Sequence, residues 1–134
     1  KYFKKHLILR LSKIYSPTTK DKTFYSEIIK NVKRRIKLRL FKNQYVHYLD
    51  LRDFLSCLKR ILNKTYPIKG TYNLPGKEFT TRYEFGKKIC SKNKLDKKFI
   101  TAIDINKKKI RLPKRLKMKT NLFMKINYFP KYNI

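Results

Sequence analysis

Apolar and polar positions along this chain follow two rhythms in turn. Leu7–Leu11 is an apolar run interrupted by Arg10, with His6 before it and Ser16-Pro17 after it. That is the form of a strand in a parallel sheet, covered on both faces, where strict alternation is lost. Ser16-Pro17-Thr18-Thr19 reads as a loop. Phe24, Ile28, Ile29 and Val32 then recur at helical spacing and predict a helix over 24–35. Residues 36–40 alternate with period two, as a half-buried strand does, and residues 45–48 form a second short strand candidate. Asp50 is placed to cap a helix whose apolar face carries Leu51, Phe54, Leu55, Leu58, Ile61 and Leu62.

Gly70–Leu74 is a further short strand ending in the turn Pro75-Gly76. Thr81-Arg82-Tyr83-Glu84 has the form of a capping box, and the helix behind it carries Tyr83, Ile89 and Cys90 to about Asn93. Residues 99–103 predict a small strand, residues 106–115 a basic loop, and residues 120–126 a last short helix. Alternating strand and helix patterns predict an α/β fold. The pattern opens on a strand with no helix before it, at Lys1-Tyr2-Phe3 rather than a Met, so the chain is expected to be the tail of a larger α/β protein. It contains no internal repeat.

At 134 residues there is one domain at most. The charge changes the picture more than the length does: 37 basic residues against 8 acidic give +29. Such a value ordinarily suggests nucleic acid or an anionic surface as partner. Yet only nine of the basic residues are Arg, and the Lys residues run from Lys1 to Lys131 rather than along one face. Sites that read phosphates or base edges favour the planar guanidinium. An even spread of Lys with abundant Asn, Ile and Tyr also fits a coding bias toward A and T. Cys57 and Cys90 stand alone, with no metal-ligand spacing, which argues against zinc and for reduced thiols in the cytoplasm. No apolar run reaches the ~18 residues of a membrane helix.

Five blocks, in order, resemble the C-terminal half of the extended short-chain dehydrogenases, in particular dTDP-4-dehydrorhamnose reductase. Leu9-Arg10-Leu11-Ser12-Lys13-Ile14-Tyr15-Ser16-Pro17 is similar to the strand and loop that follow the family's catalytic helix. Residues 45–53 resemble the segment that opens a helix beside the substrate. Residues 70–85, the strongest block, resemble the family's strand, glycine turn and capped helix. Leu95-Asp96-Lys97-Lys98-Phe99-Ile100 and Pro113-Lys114-Arg115-Leu116 resemble the two blocks after it. Ser16 replaces the family's usual Gly, Leu112 stands where it has an Arg, and Lys119 where it has an Asp.

The resemblance implies the C-terminal part of an NAD(P)-binding, Rossmann-like protein without its dinucleotide-binding half. Residues 1–20 would supply the last sheet strand and its loop, and residues 21–134 the substrate-binding region. Gly70, Gly76 and Gly86 are not in the spacing of a dinucleotide-binding turn, and no Tyr-x-x-x-Lys pair precedes the first strand. This chain alone is therefore expected to bind no cofactor and to catalyse nothing, while NAD(P)H is implied for a full-length parent. The implied partners are a nucleotide-sugar substrate and a protein, either a second copy or a catalytic subunit. Residues 68–84 are also similar to the regulatory β subunit of methionine adenosyltransferase, which would make the parent a binding subunit. A third reading, a basic nucleic-acid-binding module, rests on charge alone.

The residues that the resemblance points to as substrate contacts are Arg10, Tyr15, Arg111 and Lys114. Arg10 lies toward the carboxyl end of its strand, where open α/β sheets bind ligands, although a pair with a carboxylate would explain it as well. Tyr15 is explained equally by packing. Lys107-Lys108-Lys109 with Arg111, Lys114 and Arg115 is the densest basic cluster, suited to a diphosphate or simply solvated. His47 has no metal-ligand neighbour in sequence and reads as a strand-edge residue. Asp50 and Asp53 read as cap and dipole partners, and Arg82 as an exposed helix residue.

Overall fold

In the computed structural model the described residues are 6–65, 67–107 and 112–134. They form an α/β fold of short, mainly parallel strands. Strands β1 (Leu7–Leu11) and β2 (Lys13–Tyr15) lead into helix α1 (Phe24–Lys33), followed by β3 (Leu38–Phe41) and β4 (Tyr45–Asp50). Helix α2 (Leu51–Leu62), β5 (Gly70–Leu74), β6 (Glu78–Thr81), α3 (Arg82–Lys92), β7 (Ile100–Ile103), β8 (Arg115–Leu116) and α4 (Leu122–Lys125) complete the order.

β1 pairs in parallel with β5, from Leu7 opposite Gly70 to Leu11 opposite Leu74. β3 pairs in parallel with β7. β4 is the hub of the remaining sheet. Its one edge is taken by β6, antiparallel, with Tyr45 opposite Thr81. Its other edge is shared end to end by β8, opposite Tyr45 and Val46, and by β2, opposite Tyr48 to Asp50. His47 lies at the gap between those two strands.

Two cores result. Tyr15, Tyr25, Ile28, Ile29, Val32, Tyr48, Phe85 and Ile89 bury the inner faces of α1 and α3 against β2, β3 and β4. Leu49, Cys57, Ile61, Leu74, Leu122 and Ile126 pack α2 and α4 on β5. Each core buries side chains whose removal from water contributes about 1.5–3 kcal/mol apiece.

Helix ends show why so few glycines suffice. Arg35, Lys94 and Asn127 take positive φ of 60°, 52° and 47°. Each follows a helix and closes it with paired backbone bonds of the Schellman type, as in Ile36 N–H to Asn31 O (2.9 Å) and Leu95 N–H to Cys90 O (2.8 Å). The turn after α1 thereby consumes Ile36, so β3 begins at Leu38 rather than at the predicted 36. Gly76 is glycine for another reason: a Cβ there would fall inside the Tyr48 carbonyl of β4.

Four expectations need correction. β1 is not covered on both faces, since Ile8 is 48% exposed, and among the described residues only β5 pairs with it. α2 is turned so that Asp53, Cys57 and Ile61 face inward, leaving Leu55 54% and Leu62 74% exposed. Residues 78–81, given no strand in the sequence reading, form one of their own. The capping box is half made: Thr81 Oγ1 accepts from the Glu84 N–H at 3.1 Å, while the Glu84 carboxylate pairs with Lys87 instead. No helix among the described residues is long and apolar enough to cross a membrane.

Candidate functional site

The gap in the edge of β4 is a cleft of about 430 Å³. Ser12 and Lys13 close it at the start of β2, Leu116 from the end of β8 with Lys117 and Met118 just after it, and Arg82 from the first turn of α3. Val46 and His47 form its floor and Leu11 one rim. The wall is thus mixed, with aliphatic and thioether surface beside three cations.

Backbone fit makes the floor rigid. Gly76 lies against β4, donates its N–H to Ser12 Oγ (3.1 Å) and offers its carbonyl to His47 Nδ1 (3.0 Å). That carbonyl can only accept, so Nδ1 carries the proton and Nε2 is left as an acceptor. Nε2 is buried and has no partner among the described residues. Burial holds the His47 pKa below its ordinary value, and Lys117 pushes the same way against the Gly76 bond. Ser12 is tied in a second place, donating its N–H to the Leu74 carbonyl at 3.2 Å.

Two of the three cations stand against one ring. Lys13 Nζ stands 4.6 Å from the centroid of Phe24, and the Arg82 guanidinium carbon stands 5.9 Å from the same centroid. Phe24 is in turn stacked on Tyr48 and Phe85, with centroids 6.2 and 6.3 Å away. Arg82 is therefore half-buried rather than the exposed helix residue expected, and its Nε is shielded from water without a hydrogen-bond partner. Burial lowers the pKa of Lys13, with Arg82 adding to the effect and Glu27 opposing it.

The four residues singled out from the sequence are not brought together. Arg10 is exposed on β1, one residue before the rim residue Leu11. Tyr15 is 2% exposed, stacked on Tyr25 at 6.1 Å and edge-on to Phe85 at 5.2 Å. Burial raises its pKa, and the negative charge of the neighbouring Asp50 carboxylate raises it further. Lys114 is exposed, its carbonyl accepting from Tyr45 N–H at 2.7 Å, two residues before Leu116. Arg111 lies outside the described residues, as do Lys108 and Lys109 of the basic cluster. Lys13, Arg82 and Lys117 were missed. The available signal was Lys13, a cation in the short stretch between Leu11 and Ile14.

Asp50 caps α2 as expected, accepting from Arg52 N–H at 2.8 Å and from the Arg52 side chain at 2.9 and 2.8 Å. Burial alone would raise its pKa, but these bonds outweigh it and hold the carboxyl below its ordinary value. Asp53 does something else. Fully buried, it accepts from Tyr128 Oη (2.7 Å), Lys131 N–H (2.9 Å) and Tyr132 N–H (3.0 Å), fastening the C-terminal segment to α2.

Gly76 has its open side filled by β4, and Gly86 sits inside α3, where a Cβ would be 2.6 Å from Leu40. Among the described residues no group of His, Cys, Asp or Glu is placed to hold a metal ion.

Comparison with known proteins gives the frame for this cleft. No curated protein matches the chain. Among solved structures, dTDP-4-dehydrorhamnose reductase from Bacillus anthracis, in complex with NADP, is similar with a TM-score of 0.77 at 20% identity, over 94% of this chain and 43% of that one. UDP-glucuronic acid 4-epimerase from Bacillus cereus, bound to UDP-glucuronic acid and NAD, gives 0.76 at 17%, over 95% and 40%. dTDP-glucose 4,6-dehydratase from Bacillus anthracis, bound to NAD, gives 0.73 at 20%, over 94% and 40%. At these identities the likeness shows a shared fold, that of the extended short-chain dehydrogenases, and the chain spans only about two fifths of those proteins. The RmlD substrate binding domain matches residues 1–131, and it is to this family that the chain belongs.

Proposed function

We propose that the chain is the substrate-binding part of an NAD(P)H-dependent nucleotide-sugar reductase of the dTDP-4-dehydrorhamnose type, not catalytic by itself. Residues 1–20 supply a sheet strand and its loop, and residues 21–134 the substrate-binding region. The observation that carries this reading is the cleft at the gap between β2 and β8, within a chain matched by the RmlD substrate binding domain over 1–131. Its volume of about 430 Å³ falls in the range of roughly 300–1,000 Å³ usual for small-molecule sites. Its aliphatic walls suit a base or sugar ring, and its cations suit phosphates. Arg10 and Lys114 are proposed as outer substrate contacts, with Arg111 as a further contact from outside the described residues, while Tyr15, buried two residues beyond Lys13, supports the strand that bears it. Two buried, unpaired thiols, Cys57 and Cys90, fit a cytoplasmic setting.

Calorimetric titration of the chain with dTDP-glucose, and in parallel with an unrelated DNA duplex at low and raised salt, tests this. Saturable dTDP-glucose binding that persists at physiological salt is expected. No saturable binding of the nucleotide sugar, together with tight DNA binding that collapses as salt rises, would overturn the reading in favour of a nucleic-acid module.

A further inference from the structure

The C-terminal ends of α1 and α3 meet away from the cleft. α3 is 11 residues long, roughly 16 Å at 1.5 Å per residue, and the cleft lies at its other end, at Arg82. Between the two C-terminal ends is a groove of about 510 Å³. Lys33 borders it from the last turn of α1 and Arg35 from just after that turn, with Lys94 and Lys98 facing them from the segment after α3. Its apolar lining is Val32, Leu95 and Phe99, which pack on or within the core beneath. The side chains of Lys33, Arg35 and Lys94 make no hydrogen bond or ion pair among the described residues. The carboxylate that lines the groove, Asp96, is held by Lys98 Nζ at 2.8 Å and by the Lys98 N–H at 2.9 Å. Arg34, Lys37, Lys92 and Lys97, all exposed, stand beside these residues in sequence.

Cations at a helix C-terminus offset its partial negative charge, and one at each end would suffice for that. Here four line one groove. Arg35 and Lys94 moreover hold φ of 60° and 52°, in the position after a helix where glycine is the usual residue. A long cationic side chain is strained in that backbone conformation, and both of these strained residues line the groove. Like charges gathered beside apolar surface are unfavourable until an anion offsets them.

A second copy of the chain is unsuited to fill this groove. It carries +29 itself, and its 8 acidic residues are scattered singly, none next to another. Single-stranded nucleic acid needs open ring faces on which its bases stack. The ring that lines the groove, Phe99, packs on the core, and Lys98 Nζ stands 5.3 Å from its centroid, so it presents no free face. Carboxylates set around an apolar side chain match the cationic rim and the apolar lining together. We propose that the groove between the C-terminal ends of α1 and α3 docks an acidic, leucine-bearing segment of a partner protein. Its carboxylates meet Lys33, Arg35 and Lys94, and its apolar side chain packs on Val32, Leu95 and Phe99. Docking here is independent of what the cleft binds.

The test is fluorescence anisotropy of the full chain with a labelled Glu-rich peptide bearing leucines, at physiological salt. The same peptide with Gln for each Glu, the same peptide with Ser for each Leu, and a thymidine oligonucleotide are titrated in parallel. The variants are Arg35→Gly with Lys94→Gly, Lys33→Gln alone, and a control pair, Lys59→Gln with Lys64→Gln, which removes two exposed cations that do not line the groove. Both glycine changes relieve backbone strain, so the thermal melt of R35G/K94G should be no lower than the parent's, and lost binding then reports lost cations. The Glu peptide is expected to bind the parent saturably, at least tenfold more weakly to R35G/K94G and severalfold more weakly to K33Q. The control pair should bind it within twofold of the parent, because salt confines each charge to its own neighbourhood. The Gln peptide should not bind, and the Ser peptide should bind severalfold more weakly. The docking site is refuted if the Glu peptide fails to bind the parent, if R35G/K94G and K33Q bind it within twofold, or if the control pair loses as much. Equal binding of the Gln or the Ser peptide refutes it as well. An oligonucleotide that binds more tightly than the Glu peptide, displaces it and is lost in R35G/K94G would overturn the assignment in favour of a nucleic-acid groove.

Discussion

Replacing Asp53 by Ala should be among the most damaging single changes in this chain, and the structure says by how much. The carboxylate is fully buried and accepts three hydrogen bonds, from Tyr128 Oη and from the backbone N–H groups of Lys131 and Tyr132. A hydrogen bond to a charged group contributes about 1.5–3 kcal/mol net, so three would give an upper limit near 9 kcal/mol. Two of the three donors lie on a terminal segment that can move out to water once released, which removes much of the penalty for leaving them unpaired. The expected loss is therefore about 3–5 kcal/mol, the range for breaking a buried charged network. Against a typical total of roughly 5–15 kcal/mol, that is enough to leave a large unfolded fraction. Urea denaturation followed by circular dichroism measures the loss, and amide exchange at Lys131 and Tyr132 reports release of the segment. Asp53→Asn, which keeps one acceptor oxygen but turns an amide toward a donor, should lose about half as much. If Asp53→Ala stays within about 1 kcal/mol of the parent and the two amides remain protected, the account of Asp53 as the fastener of the C-terminal segment is wrong.

Three further outcomes follow from the geometry. Lys94→Gly should stabilise the fold by about 0.5–1 kcal/mol, because glycine relieves the left-handed strain at the end of α3 while costing some unfolded-state entropy; a lower urea midpoint would refute this. Gly76→Ala, whose Cβ would enter the Tyr48 carbonyl, should cost about 3 kcal/mol or more and displace His47; an unchanged midpoint would mean that the turn is not where it is drawn. The Asp50 carboxyl is held below its ordinary value of 3.8, so its share of stability is full above about pH 4 and is lost as pH falls through the lower folded value. Asp50→Asn should flatten that acid limb in urea midpoints measured from pH 2 to 7, and a limb of unchanged steepness would count against the Arg52 bonds as its cause.

Local chemistry was legible in the sequence and tertiary chemistry was not. Asp50 and Thr81 declare their helices because a cap needs only a side-chain oxygen two or three residues before an orphan N–H. β5, β7 and the three main helices were found for the same reason, each being specified within its own dozen residues. β6 escaped because Glu78-Phe79-Thr80-Thr81 has no apolar alternation; its strand form comes from lying along β4. The buried face of α2 was misplaced because leucines outvote an aspartate in any apolar count. Only the donors of Tyr128, Lys131 and Tyr132, far along the chain, make it favourable for Asp53 to turn inward. The cleft is the extreme case. Its lining comes from residues 11–13, 46–47, 82 and 116–118, which meet only because β2 and β8 share one edge of β4.

The pairing of the strands also determines how this chain must fold in time. Leu7 meets Gly70 and Leu38 meets Ile100, partners separated by about sixty residues, and among the described residues no parallel pair is joined by a tight turn. Closing such loops demands entropy before any ladder bond repays it, so the sheet cannot nucleate locally. The capped helices can form in microseconds, and the strands wait for them to collapse together. A newly made chain will therefore spend most of its folding time with helices formed and strand edges unpaired. In that interval its many lysines, by mutual repulsion, keep one molecule's unpaired strand edges from finding another's.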